Sequence, residues 1–97
     1  MARSSLSRQW FHRSVCRSRR EDGDIGGARV AAEAAIAIAP ASAAARMELA
    51  YALFLGGDPA AAAVQFAAAA YAAGEGTQAA HDARMNLGRA LQFSRGA

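Results

Sequence analysis

Large apolar residues are sparse along this chain. The stretches between them are filled with alanine and closed by glycine, proline or a capping residue. That pattern predicts helices. Asp24 can cap one that runs to about Ile38 and ends before Pro40, with Val30, Ala34 and Ile38 at i, i+4 and i+8 on one face. Ser42 can cap a second, over residues 43–55. Its large side chains, Met47, Leu49, Tyr51, Leu53, Phe54 and Leu55, surround most of the cylinder and predict a central helix buried on several sides. Gly56-Gly57 stops it. Asp58-Pro59 restarts the chain with an N-cap and a proline at the first helical position, and the third helix runs to about Ala73, before Gly74. Thr77 can cap a last helix to about Ser94, carrying Met85, Leu87, Leu91 and Phe93. No segment alternates with the two-residue period of a strand.

Alanine explains how such helices can meet. It has the best helix propensity and a small side chain, so two helices carrying it approach closely. It adds little hydrophobic energy per residue, because burial scales with apolar area. Antiparallel helix hairpins with alanine at the seam are the economical reading. Regular caps and breakers argue against disordered low complexity.

Charge divides the chain in two. All eleven basic residues are arginine, and six (Arg3, Arg8, Arg13, Arg17, Arg19, Arg20) fall in residues 1–20, where there is no acid. From Glu21 onward five arginines face eight acids, a net −3. The pI near 10 therefore describes the head and not a nucleic-acid-binding body. The head lacks the apolar run of a secretory signal, although arginine and serine without acids fit an organellar presequence. It can equally be a disordered tail, a misassigned start, or a degenerate helix in which Trp10, Phe11 and Val15 cover the next helix. The single cysteine, Cys16, excludes an intrachain disulfide and makes no metal site. The longest nearly apolar run, residues 59–74, is too short to span a bilayer.

From Gly23-Asp24 to Gly57-Asp58 is 34 residues, and each pair opens an alanine-rich helix. The middle unit reads Leu49-Ala50-x-x-Leu53, then Gly57-Asp58, then Ala62-x-x-x-Phe66 and Ala69. The upstream unit has Ala28-x-x-x-Ala32, Ala35 and Pro40, and closes in "AIAIAPAS". The downstream unit has "NLGRAL", and "ARMELAYAL" (residues 45–53) returns as "ARMNLGRAL" (residues 83–91). In period and motif the chain resembles the tetratricopeptide repeat (TPR) family over residues 23–96. Sel1-like repeats are the close neighbour. The departures are Arg46 where the family often has tryptophan, Arg19 at the family's tyrosine, and Gly74 in place of the closing proline. The third unit is also displaced, since Leu87 follows Leu49 by 38 residues. The resemblance implies an all-α fold, antiparallel helix hairpins stacked as a short TPR-like α-solenoid over residues 21–97, with residues 1–20 as a basic head.

No catalytic constellation is visible. His12 and His81 have no nucleophile nearby in sequence, and Gly23-x-x-Gly26-Gly27 lacks the strand and Lys-Ser/Thr of a phosphate loop. No enzyme activity, metal, cofactor or small-molecule substrate is expected. The resemblance implies instead a protein-interaction module that holds a peptide or partner helix in a concave groove lined by first helices. By phase the groove residues would be Met47, Tyr51 and Phe54 of the middle unit and Asp82, Met85, Asn86, Arg89 and Gln92 of the last. Packing of Met47, Tyr51 and Phe54 against the head or a second chain is the competing reading. The family's carboxylate clamp uses lysines, and this chain has none, so chaperone tails are not implied. Fewer than three repeats point to self-association or to a larger assembly. A cytoplasmic protein without a membrane span is expected, and nucleic acid is not an expected partner. The alternative function is an organelle-targeted or nucleic-acid-associated protein acting through its arginine-rich head.

Overall fold

A computed structural model describes residues 5–95 as five helices: α1 (Ser5–Glu21), α2 (Ile25–Ile38), α3 (Ala43–Leu55), α4 (Pro59–Ala73) and α5 (Gln78–Ser94). Residues 1–4, with Arg3 of the basic head, and residues 96–97 of the repeat region lie outside the described residues. The described residues contain no strand, and none of their helices is long and apolar enough to cross a membrane.

The helix starts follow from the caps. The side chains of Asp24, Ser42, Asp58 and Thr77 accept from the backbone N–H groups of Gly27, Ala45, Ala61 and Ala80 at 3.0 to 3.1 Å. Each bond satisfies one donor that a helix N-terminus leaves open. The two turns at Gly23 and Gly57 are built alike. Gly23 N–H donates to Arg20 O and Asp24 N–H to Arg19 O; Gly57 N–H donates to Phe54 O and Asp58 N–H to Leu53 O. The two glycines have φ of 84° and 90°, the left-handed conformation that closes this helix C-terminus. Every participant in the second turn stands 34 residues after its counterpart in the first. The spacing seen in the sequence is thus a repeated hairpin joint, α1–α2 and α3–α4.

Each helix packs on its neighbours in sequence. In addition α1 touches α3 and α3 touches α5, whereas α2 and α4 do not meet. The odd helices therefore share one side of the molecule. Helix α3 touches all four others, as its apolar circumference requires.

The seams are alanine. Ala28, Ala31, Ala32 and Ala35 of α2 are buried, as are Ala62, Ala63, Ala69 and Ala70 of α4 and Ala80, Ala83 and Ala90 of α5. The expected α2 face is corrected by this finding: Val30 is 66% exposed, while Ala34 and Ile38 are half-buried. Close helix approach selects the small side chains for the seam and leaves the branched one outside. Similarly Trp10 and Phe11 do not cover α2 and lie mostly exposed; buried Cys16 and half-buried Val15 attach α1 to the core. Leu55 is also exposed, so α3 is covered over most of its length but not at its end. Among the described residues Phe66 is the one large aromatic side chain that is fully buried.

Candidate protein-interaction face

The odd helices meet around Glu48. This α3 carboxylate is buried and accepts from Arg20 of α1 at 2.8 Å and from Arg17 at 3.5 Å. A buried carboxylate is tolerable only when paired, and α1 supplies the pairing. The Arg20 guanidinium carbon also sits 4.9 Å from the centre of the Tyr51 ring, within cation–π range. Tyr51 rests edge-on against Phe66 of α4 at 5.5 Å, and its hydroxyl accepts from Asn86 Nδ2 of α5 at 3.4 Å. Further along, Phe54 meets Phe93 edge-to-face at 5.3 Å. Contacts between successive odd helices link residues 32 apart (Cys16 to Glu48) and 35 apart (Tyr51 to Asn86). The order of contacts shows that these helices run parallel, displaced by about one repeat.

Helical spacing extends the face. Trp10 lies seven residues before Arg17, and Leu55 seven after Glu48, so each shares its neighbour's side of the helix. On α5, Asp82, Asn86, Arg89 and Phe93 follow at i, i+4, i+7 and i+11. Trp10, Leu55 and Phe93 are all exposed. Three large apolar side chains, one per odd helix, thus border a row of polar groups.

Charge on the face is partly committed. Arg19 pairs with Asp24 at 2.9 Å, at the α1–α2 turn. The N–H of Gly27, and next the Arg19 guanidinium, hold the Asp24 carboxyl below its ordinary 3.8. Cys16, fully buried beside Glu48, donates its thiol to the Glu48 carbonyl at 3.8 Å. Burial, and then the Glu48 charge, push that thiol from 9.0 up to about 11. Arg13, one turn before Arg17, has a buried Nε with no hydrogen-bond partner among the described residues.

The eight groove residues expected from the sequence fall into three groups. Tyr51 and Asn86 are bonded to each other, with Asp82 and Arg89 on the Asn86 side of α5. Met47 and Phe54 are half-buried against α5 or its seam: Met47 packs on Ala69, Ala70 and Ala83, and Phe54 on Phe93. Met85 and Gln92, seven residues apart, occupy the side of α5 away from its buried alanines. Sequence reasoning missed Glu48 and Arg17, and gave Trp10 a covering role on the next helix in place of an exposed one. A lone acid within an apolar helix was the available signal for Glu48, because it demands a cationic partner.

Compared with models of known protein families, with curated proteins and with solved structures, the chain matches none.

Proposed function

We propose that this chain is a protein-interaction module, a short TPR-like stack of helix hairpins. It would hold a peptide or a partner helix across the face formed by α1, α3 and α5. The observation that carries the reading is Tyr51, a half-buried aromatic fixed from three sides by Arg20, Phe66 and Asn86. A rigid aromatic held by neighbours loses little entropy on binding, and such residues anchor interfaces. Exposed Trp10, Leu55 and Phe93 supply apolar contact around it, and Arg13 and Arg89 supply cations. A partner segment with apolar anchors and carboxylates suits this face.

The 34-residue joint and the parallel odd helices support the TPR-like reading. The same fold gives α1 a structural use, since Arg17, Arg19 and Arg20 are paired within the chain. The test is selection from a random peptide library on the immobilised chain. Binders of the α1–α3–α5 face are expected to lose at least tenfold in affinity on Tyr51→Ala and to be unaffected by Tyr71→Ala. The reverse pattern would reject the face.

A further inference from the structure

The outer side of α4 is a different surface, independent of the α1–α3–α5 face. Ala60, Val64, Ala67 and Tyr71 follow one another at intervals of four, three and four residues, and all four are exposed. Those intervals are the ones of a coiled-coil seam, so the four share one stripe of the helix. Tyr71 is 92% and Val64 64% exposed, while Ala62, Phe66 and Ala69 carry the other side of α4 into the core. Among the described helices α4 is the one without a charged residue; none stands between Asp58 and Glu75. Contiguous exposed apolar surface of this kind marks a contact.

The order of sizes along the stripe indicates what covers it. Val64 and Ala67 stand at equal distances either side of the boundary between Gln65 and Phe66, and Ala60 and Tyr71 stand at equal distances further out. In each pair one residue is large and the other is alanine. A two-fold axis at that boundary therefore lays Val64 on Ala67, and Tyr71 on Ala60, of a second α4 running antiparallel. Every layer then joins a large side chain to a small one, the arrangement that fills space between helices. A parallel pair would set Tyr71 on Tyr71 and leave Ala60 and Ala67 facing their own copies across a gap. It would also align the two helix dipoles, which the antiparallel pair opposes. Charge selects the same occupant. A charged partner surface would give up hydration against this stripe with no ion pair in return, and α4 of a second copy has no charge to desolvate.

We propose that the chain self-associates as a two-fold dimer through antiparallel α4 helices. The contact is one helix of 15 residues per copy, about 22 Å long. That is less than the area of a standard stable interface, so the dimer is reversible and forms between micromolar and millimolar concentration. The odd-helix face takes no part in it.

Sedimentation equilibrium of the full chain across that range tests the proposal, and a monomer–dimer equilibrium is expected. Ala67→Glu and Val64→Lys each put a charge into an apolar layer at a position exposed in the single chain. Circular dichroism of both variants should match wild type, while dimerisation should weaken at least tenfold in each. Mixed one to one, the two variants should associate again to within severalfold of wild type, because position 67 of one copy faces position 64 of the other. Four results would overturn the proposal. A chain still monomeric at millimolar concentration would leave the stripe to a different protein. A dimer unmoved by Ala67→Glu would place self-association on another face. No recovery in the mixture, with both variants folded, would reject the antiparallel register. Loss of helix in either variant would show that the stripe serves the single chain's fold.

Discussion

Arg20 of α1 stands 2.8 Å from the buried carboxylate of Glu48 and 4.9 Å from the centre of the Tyr51 ring, both on α3. One side chain thereby neutralises a buried charge and braces the aromatic at the centre of the proposed binding face. Truncating it leaves Glu48 with only the longer contact to Arg17. Breaking a buried pair from one side is strongly destabilising, so Arg20→Ala should lower unfolding stability by about 2–3 kcal/mol. Arg17 is 59% exposed and pairs at 3.5 Å, so Arg17→Ala should cost less than about 1 kcal/mol. Urea unfolding of the two variants checks the order, and equal losses would remove Glu48 from its assigned role.

Phe66 concentrates the large-side-chain packing of a core otherwise made mostly of alanine. Its removal deletes buried area and leaves a cavity that alanine neighbours cannot fill. Phe66→Ala should therefore cost about 3–5 kcal/mol, a large part of the stability expected for a domain of this size. Thermal unfolding followed by circular dichroism reads the loss. A shift of only a few degrees in Tm would mean that the helices do not rely on this side chain.

The Cys16 thiol, pushed up to about 11 in the fold from 9.0, gives alkaline sensitivity a definite sign. The folded state favours the neutral thiol, so the stabilisation is intact below pH 9 and fades as the pH rises through 11. Wild type should lose stability across that window relative to Cys16→Ala. Thiol-specific reagents at pH 8 should react only on the timescale of opening. Rapid labelling of the native chain would place Cys16 outside the α1–α3 seam.

Asp24 acts at the opposite end of the pH scale. Its carboxyl is held down by the Gly27 N–H and the Arg19 guanidinium, so its contribution is present at neutral pH and lost as the pH falls below about 3.8. Asp24→Asn keeps a cap acceptor but not the charge. The advantage of wild type over this variant should be measurable at pH 6 and should shrink below pH 4. A constant difference down to pH 2 would mean that Arg19 does not contribute through charge.

How much of this was legible varies along the chain. The starts of α2 to α5 were readable because their signals are local: Asp24, Ser42, Asp58-Pro59 and Thr77 act within three positions of themselves. The burial pattern was harder. Ranking side chains by size put Val30 inside, whereas an alanine seam puts Ala28, Ala31, Ala32 and Ala35 there. Helix α1 was less legible, since the partner of its Arg20, Glu48, stands 28 residues away. The Tyr51–Asn86 contact is likewise non-local. Repeat phase placed Tyr51, Asn86 and Arg89 on one face, but it did not separate them from Met85 and Gln92 on the far side of α5.

The central claim is that a partner lies across α1, α3 and α5. The direct measurement is an amide chemical-shift map of the labelled full chain with a library-selected peptide bound. Shifts should cluster at Arg17, Tyr51, Leu55, Asn86 and Arg89 and vanish in Tyr51→Ala. Shifts centred instead on Val30, Val64 and Tyr71, the exposed large residues of α2 and α4, would contradict it.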